Sequence, residues 1–176
     1  MLYTRKGDGG TTKTFGCDQR ISKSSAMAEA LGSLDEINSL LGWCKVKAGT
    51  SETAKIIDRT QHNLFIIQAE LAGADKHLTA EKVIEAEAIV DGIEKQLPPI
   101  TTFFVSGGTE LGAMFDVART IARRAERRVV AVHEEGTVKL GEATMRYLNR
   151  LSSLLYALAR LTNHQSGIAE EKPTYE

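Results

Sequence analysis

A ten-residue segment near the N-terminus carries the residue types that bind phosphate groups. Its members are Thr4, Arg5, Lys6, Gly7, Asp8, Gly9, Gly10, Thr11, Thr12 and Lys13. Glycines let backbone N–H groups turn toward an anion, hydroxyls add donors and cations supply positive charge. The segment is neither a P-loop nor a GxGxxG dinucleotide loop, because Thr12 occupies the position of the third glycine. The composition also fits a flexible terminus rich in small polar residues.

A second candidate feature is a group of arginines within the segment ARTIARRAERRVV. These are Arg119, Arg123, Arg124, Arg127 and Arg128. On a helix, Arg119, Arg123 and Arg127 form one stripe about 80° wide, which we call the first arginine face. Arg124 and Arg128, the second arginine face, point more nearly to the opposite side, toward water. Three guanidiniums on one stripe repel one another unless a polyphosphate, or carboxylates from another helix, joins them. The alternative is a solvated charge ladder with Glu126 as its counter-ion.

Two polar residues interrupt apolar helical segments. Asp35 follows Leu34, and Asn149 lies between Leu148 and Leu151. We expect both to be partly buried and therefore to need partners, since an unpaired buried carboxylate or amide is costly. A salt bridge between helices and a bundle-specifying hydrogen bond are the purely structural alternatives. None of the four histidines lies three residues after a glutamate, which excludes a di-iron carboxylate bundle and leaves them without a catalytic assignment.

Five stretches with a helical apolar period must position these residues, and none shows strand alternation. They cover residues 25–47, a stretch after 50–52, 79–97 up to Pro98-Pro99, a stretch after Gly107-Gly108, and 140–158. Short connectors between long helices predict an all-α, up-and-down bundle of five helices. We predict one domain over residues 1–176, with a loop segment at 1–24 outside the bundle, the bundle at 25–166 and a flexible tail at 167–176.

Composition narrows the class of protein. The chain has 176 residues, enough for a core without a metal or disulfide staple, and 22 Lys+Arg balance 23 Asp+Glu. A net charge of −1 argues against a nucleic-acid partner bound through bulk positive charge and leaves only a local basic stripe as an alternative. No window approaches about 20 apolar residues and no signal-peptide pattern begins the chain, so we expect no membrane contact. Cys17 and Cys44 lack metal-binding spacing, and a cytoplasmic location is expected.

Four segments, taken in order, resemble one family: the trimeric, PduO-type ATP:cob(I)alamin (corrinoid) adenosyltransferases. YTRKGDGGTT resembles that family's N-terminal nucleotide loop TRTGDxGTT, and RISKSSAMAEALGSLDEINSLLG resembles its RxxKxxxxxEAxGxxDELNSxLG helix. FFVSGGTELGAMFDVARTIARRAERRVV resembles FxxPGGxxxxxxxxxARTxxRRAERRVV, and YLNRLSSLLYALAR resembles YLNRLSDxLFxLAR. The two last segments are far more specific than a lone glycine loop.

The resemblance implies a five-helix homotrimer with active sites between subunits, in which the 5′-deoxyadenosyl group of ATP passes to the cobalt of cob(I)alamin and triphosphate leaves. It implies ATP contacts at residues 4–13 and at Lys23, Arg123, Arg124, Ala125, Glu126, Arg127 and Asn149. Asp35 and Arg119 match a pair that bridges subunits, and Phe103 matches the aromatic residue on the lower face of the corrin. Together with Arg123 and Asn149, that pair forms the implied catalytic set. Mg²⁺ would arrive with the ATP phosphates, and no side-chain metal motif is implied.

Departures from the family pattern and rival functions complete the expectations. Lys6 stands where the family often has threonine, Ser106 replaces proline and Ser153 replaces aspartate. Candidate protein partners are a corrinoid reductase and an adenosylcobalamin-dependent enzyme. The rival functions are an ATP-dependent kinase or ATPase on a helical scaffold, which would release ADP, and a non-enzymatic helical interaction module, which would trimerise without binding ATP.

Overall fold

A computed structural model describes residues 2–14 and 19–175 of the chain, so Cys17 lies outside the described residues. Five helices dominate: α1 Ala26–Ala48, α2 Glu52–Leu71, α3 Ala80–Glu94, α4 Glu110–Glu134 and α5 Glu142–Gln165. α1 packs against α2 and α4, and α5 packs against α4 and α3. The prediction of a five-helix bundle is therefore confirmed. No helix in the described part of the chain combines the length and hydropathy needed to cross a membrane.

Hydroxyl side chains begin three of the helices. Ser25 Oγ accepts from the backbone N–H of Ala28 at the start of α1, and Ser51 Oγ accepts from that of Ala54 at the start of α2. Thr109 caps α4 in the same way. Each cap satisfies a donor that the helix leaves unpaired. α3 ends at Glu94, one turn before Pro98-Pro99, so the chain is already irregular when it reaches the prolines.

The core is built from apolar stripes on all five helices. Leu34, Ile37 and Leu41 of α1 are fully buried, and Leu155 of α5 is as well. The thiol of Cys44 lies in the same core, and burial raises its pKa to about 11, so this cysteine is unreactive near neutral pH. The bundle thus provides a rigid frame from which α4 and α5 present polar side chains.

A short antiparallel hairpin, which the sequence analysis did not identify, precedes the bundle. β1 Thr11–Lys13 pairs with β2 Arg20–Ser22, with Thr12 opposite Ile21. Strands of three residues are too short for alternating hydrophobicity to be visible in a sequence. The hairpin returns the chain from the glycine-rich loop to the start of α1.

The tail after α5 contacts the bundle. The backbone N–H of Val105 donates to the carbonyl of Glu171 (2.8 Å), and Arg160 of α5 pairs with the Glu170 carboxylate. This part of the tail therefore lies against the segment between α3 and α4. The division of the chain at residues 24 and 166 stays a prediction.

Candidate active site

The N-terminal loop is two consecutive turns. The N–H of Asp8 donates to the carbonyl of Arg5 (3.2 Å), and that of Gly10 donates to the carbonyl of Gly7 (3.1 Å). Gly10 has a φ of +77°, a region in which glycine is unstrained. Arg5 has a φ of +57°, which is uncommon for a residue with a side chain and recurs at functional sites. The loop therefore has hydrogen-bonded turns, which are the kind of backbone shape that a phosphate-binding loop needs.

Arg20 anchors this loop from β2, and the sequence interpretation missed it. Its Nε donates to Thr11 Oγ1 (2.7 Å), and its Nη2 donates to the carbonyls of Lys6 (2.5 Å) and Thr11 (2.7 Å). The arginine stands in the matched segment RISK, but nothing in its spacing from residue 11 reveals the contact, because the hairpin register creates it. Two of these three hydrogen bonds go to backbone carbonyls, so Arg20 supports the loop backbone.

Lys23 lies over the same loop. Its backbone N–H donates to the carbonyl of Gly10 (2.9 Å), and its ammonium lies close to Gly7. A Cβ atom added at Gly7 would come within 3.2 Å of Lys23 Nζ and 3.3 Å of the Thr11 carbonyl oxygen. Gly7 therefore permits the lysine to approach the backbone, and a cation is added to a loop already rich in N–H donors.

A cavity of about 510 Å³ forms a second part of the candidate site. It lies between the segment that precedes α4 and one face each of α4 and α5. Its lining is Ile100, Thr102, Phe103, Phe104, Ser106, Asp116, Arg119, Arg123, Ser152, Ser153 and Tyr156. Three residues that the sequence analysis selected thus share one cavity: Phe103, Arg119 and Arg123. None of residues 4–13 lines it.

Phe103 and Phe104 have different environments, as adjacent residues on an extended segment should. Phe103 is 80% exposed, whereas Phe104 is half-buried beneath the guanidinium of Arg160. Burial raises the pKa of the nearby Tyr156 phenol, so that group stays a neutral donor across the physiological range. The cavity therefore has an apolar ring at its mouth and arginines on the α4 side.

Two carboxyl or amide side chains fix the loop that follows Phe103. Asp116 Oδ2 accepts from the N–H of Gly107 (3.1 Å). Asn163 Oδ1 accepts from the N–H of Thr109 (2.9 Å), and Asn163 Nδ2 donates to the carbonyl of Gly107 (2.7 Å). Gly107 and Gly108 have φ values of +133° and +101°, which explains the glycine pair. Neither Asp116 nor Asn163 was identified from the sequence. The contact of Asn163 spans more than fifty residues, and that of Asp116 depends on how the loop folds back on α4.

The second arginine face contacts α1, which corrects the expectation that it points to water. Arg124 Nη2 lies 2.6 Å from Glu36 Oε2, and Arg128 Nε lies 3.6 Å from Glu29 Oε1. All four side chains are about half exposed. α1 packs beside α4 on this side, so its outer carboxylates come within reach. Arg124 thus has a carboxylate partner on α1, and its role as an ATP contact stays a prediction.

Two of the three arginines on the first arginine face, Arg123 and Arg127, have no carboxylate beside them among the described residues. Arg123 and Arg127 are exposed, and within residues 2–14 and 19–175 no acidic side chain lies at ion-pair distance from either. Glu126 is not their counter-ion, since its Oε1 accepts from Asn149 Nδ2 (3.0 Å). Ala125, between them, is buried in the core. Two neighbouring guanidiniums without a counter-ion form a place for an anionic ligand.

Asp35 and Asn149 are exposed, so the expectation of partial burial was wrong for both. Each sits one position off the buried stripe of its helix, where the side chain turns outward. Asp35 has no hydrogen-bond or ion-pair partner among the described residues. Arg119 is instead close to Asp116, with 3.8 Å between Nε and Oδ1, and 5.9 Å from the centre of the Tyr156 ring. Its buried Nε has no hydrogen-bond partner.

No group of three or more histidine, cysteine, aspartate or glutamate side chains in the described parts of the chain is arranged to hold a metal ion. A divalent cation would therefore need most of its ligands from a bound phosphate chain or from water. The arrangement combines a donor-rich loop, the two arginines Arg123 and Arg127, which have no carboxylate partner among the described residues, and an aromatic ring on a fixed loop. These are suited to binding a polyphosphate beside a large apolar ligand.

Comparisons with known proteins agree with this chemistry. The family model described as cobalamin adenosyltransferase matches residues 2–162. The corrinoid adenosyltransferase PduO of Citrobacter freundii is 38% identical over 94% of this chain, and the chain spans about half of that relative's length (50%). A corrinoid adenosyltransferase of Bacillus subtilis is 36% identical over 96% of this chain and 90% of its own length.

Solved structures agree as well. A phenylalanine-to-alanine variant of the PduO-type ATP:corrinoid adenosyltransferase from Lactobacillus reuteri, complexed with cobalamin and ATP, superposes with a TM-score of 0.91. Its sequence is 27% identical to this one, and the alignment covers 98% of this chain and 99% of that one. An arginine-to-lysine variant of the same enzyme, complexed with ATP, gives a TM-score of 0.90 at 28% identity, with 98% and 100% covered.

Proposed function

The chain belongs to the cobalamin adenosyltransferase family, and on that premise we propose that it transfers the 5′-deoxyadenosyl group of ATP to the cobalt of cob(I)alamin or a related corrinoid, releasing triphosphate. One observation carries the proposal most directly. An exposed phenylalanine and two arginines without a full ionic partner, Phe103, Arg119 and Arg123, line one cavity. The relatives' names and the ligands of the similar structures support the same reaction.

The reaction needs positioning and charge rather than a protein base. The cobalt of cob(I)alamin is itself the nucleophile: a Co–C5′ bond forms, the C5′–O5′ bond breaks, and the bonding electrons leave with the triphosphate. Attack must be in line, so both substrates have to be held in fixed orientations. The chain contributes donors and cations aimed at the leaving group, where negative charge accumulates.

The proposed ATP site combines the N-terminal loop with Arg123 and Arg127 of α4. Lys6 and Lys23 belong to the loop side, and Arg123 and Arg127 belong to α4. Arg20 holds the loop backbone so that its N–H groups do not need to reorganise on binding. Mg²⁺ bound to the phosphates would supply further positive charge, consistent with the lack of a carboxylate cluster in the described residues.

The proposed corrinoid site is the cavity below Phe103. Its ring is 80% exposed in the single chain, although burial of such a ring is strongly favoured. We assign the ring to the lower face of the corrin, where it would exclude water and the corrinoid's own base from cobalt. Loss of an axial ligand destabilises the oxidised ion, so reduction to Co(I) becomes easier. A 510 Å³ cavity takes only part of so large a ligand.

The proposed assembly is a homotrimer with each site shared between neighbours. In one chain the loop at 4–13 does not line the cavity, Asp35 is unpartnered among the described residues, and the buried Nε of Arg119 lacks a hydrogen bond. An Asp35 carboxylate from a neighbouring subunit would pair with the exposed part of the Arg119 guanidinium, and a neighbour's loop would bring ATP to the cavity. The trimeric state is inferred from these unmatched groups together with the family resemblance.

The remaining expectations belong to the same proposal. We place the enzyme in the cytoplasm as a single domain, with the nucleotide-binding segment at residues 1–24, the bundle at 25–166 and the tail at 167–176. A corrinoid reductase would supply the electron that makes Co(I), and an adenosylcobalamin-dependent enzyme would receive the product. The reductase is inferred because the cobalt must be reduced before the transfer, and the acceptor enzyme because the product is a cofactor.

The decisive experiment is anaerobic incubation of the protein with Mg-ATP and chemically reduced cob(I)alamin. We expect the cob(I)alamin absorbance to disappear at the rate at which adenosylcobalamin and triphosphate form, in equal amounts. Release of ADP with no cobalt alkylation would instead indicate the kinase or ATPase alternative. A trimer that binds neither ATP nor the corrinoid would indicate an interaction module and overturn the proposal.

A further inference from the structure

The C-terminal tail crosses the loop that carries Phe103. After α5 the chain turns at Gly167, which has a φ of +69°, and runs back along the segment that precedes α4. There the N–H of Val105 donates to the carbonyl of Glu171 (2.8 Å). Ile168 and Glu170 line a small cavity with Phe104 and its neighbours. The tail thus packs against the loop that carries Phe103.

Arg160 joins the tail, the loop and the bundle. Its side chain is only 6% exposed, unusual for an arginine. Its Nη2 donates to the carbonyl of Pro98 (2.9 Å) and to Glu170 Oε2 (2.8 Å), and its Nε donates to the other Glu170 oxygen. The guanidinium also lies 5.5 Å from the centre of the Phe104 ring. A bidentate ion pair of this kind is both strong and orienting.

These contacts restrain the residues on either side of Phe103 rather than Phe103 itself. Its ring is 80% exposed, so its direction depends on the backbone that carries it. On one side that backbone is held at Pro98 by Arg160. On the other side it is held at Phe104 and Val105 by Arg160 and the tail. A loop fixed in advance loses less conformational entropy when a ligand binds.

We propose that Arg160 and Glu170 are positioning residues for the corrinoid: their ion pair clamps the tail over the loop and so fixes the direction of Phe103. This inference rests on the proposed function for the identity of the ligand. The burial of the pair supports it, since a buried arginine costs free energy unless it is fully paired. The hydrogen bond to Glu170 also raises the pKa of Arg160, so the guanidinium stays charged at any physiological pH.

The test compares Glu170→Gln with Glu171→Gln. Both variants remove one negative charge from neighbouring tail positions, but only the Glu170 side chain contacts Arg160, and the Glu171 side chain is exposed. Hydrogen exchange of the Val105 amide reports the clamp without any substrate. We expect Glu170→Gln to speed that exchange by about tenfold or more, because a charge-assisted bidentate contact is lost, and Glu171→Gln to leave it unchanged.

Steady-state kinetics test the link to the corrinoid. Glu170→Gln should raise the KM for the corrinoid by about tenfold and leave the KM for ATP unchanged, because only the Phe103 loop is loosened. A variant that ends at Gly167 should behave like Glu170→Gln, and Arg160→Lys, which keeps the charge but loses the fork, should fall between it and the parent protein.

The outcomes separate this inference from the proposed function. Equal Val105 exchange and equal corrinoid KM in the two glutamine variants of an active enzyme would overturn the clamp. A parent protein that transfers no deoxyadenosyl group would overturn the proposed function instead, while faster Val105 exchange in Glu170→Gln would still establish the contact between tail and loop. A rise in the KM for ATP equal to that for the corrinoid would show a general loss of structure and would also refute the positioning role.

Discussion

Replacing Arg123 by alanine tests the assignment of the two arginine faces of α4. The Arg123 guanidinium lines the cavity and has no carboxylate at ion-pair distance among the described residues, so its charge is available to a ligand. Loss of one charge-assisted contact to a leaving triphosphate costs on the order of 2–4 kcal/mol in the transition state. At about 1.4 kcal/mol per factor of ten, we expect kcat/KM to fall by roughly 30-fold to 1,000-fold.

Arg128→Ala is the matched control, since it removes the same side chain from the same helix. Arg128 Nε is 3.6 Å from Glu29 Oε1, and both side chains are about half exposed, so the pair contributes less than about 1 kcal/mol to stability. We expect kcat/KM within about twofold of the parent protein in this variant. The assay is anaerobic loss of cob(I)alamin absorbance at varied ATP, with the melting temperature recorded for each protein. Comparable losses of kcat/KM in the two folded variants would refute the assignment of faces.

Phe103, Asp35 and Glu70 each allow a further test by substitution. Phe103→Ala should leave the trimer folded and ATP affinity nearly unchanged, yet lose most activity with Co(II) corrinoid and a mild reductant and lose less with pre-reduced cob(I)alamin; unchanged activity from Co(II) would show that this ring is not the wedge. Asp35→Asn should weaken corrinoid binding or catalysis without unfolding the chain, because the side chain is exposed, and a structure of the assembly with Asp35 far from Arg119 in every subunit pairing would contradict it. Burial tends to raise the pKa of Glu70, but hydrogen bonds from Thr144, the N–H of Gly141 and His77 outweigh it and hold that pKa below its ordinary value of 4.5. The stabilisation is therefore present above about pH 4.5 and is lost as the pH falls through the lower pKa of the folded state. In denaturant titrations, Glu70→Gln should lower the unfolding free energy by about 1.5–3 kcal/mol at pH 7 and by progressively less below pH 4.5. A difference that does not depend on pH would contradict this.

The helices could be predicted from sequence because their signals are local. Apolar residues recur every three or four positions, and Ser25, Ser51 and Thr109 stand where hydroxyl caps are favoured. The hairpin could not, since three-residue strands carry too few side chains to show a period. Besides the backbone ladder, the hairpin is stabilised by Arg20, whose three hydrogen bonds reach residues 6 and 11. A contact of that kind depends on the fold, so no window of sequence contains it.

Some features of the candidate site could likewise be predicted from local sequence, whereas others depend on tertiary packing. The position of Arg123 on α4 and the different exposure of Phe103 and Phe104 follow from helix geometry and from adjacency in an extended segment. The burial of Asp35 and Asn149 was misjudged, because each lies at the edge of an apolar stripe, where a rotation of a few tens of degrees turns a side chain outward. The partners that fix the loop around Phe103 come from α4, α5 and the tail, and tertiary packing alone brings them together.

The carboxylate of Asp116 lies close both to the loop that follows Phe103 and to Arg119. Asp116 is buried on α4, and its Oδ2 accepts the N–H of Gly107, which fixes the loop that follows Phe103. Its Oδ1 lies 3.8 Å from Arg119 Nε, too far for a hydrogen bond, so Arg119 is attracted by Asp116 without being satisfied by it. The Arg119 side chain is 29% exposed, so the part of it that Asp116 does not contact is accessible to a carboxylate from outside the chain. The incomplete pairing of Arg119 is thus the feature of the single chain that most favours a site completed by a neighbouring subunit.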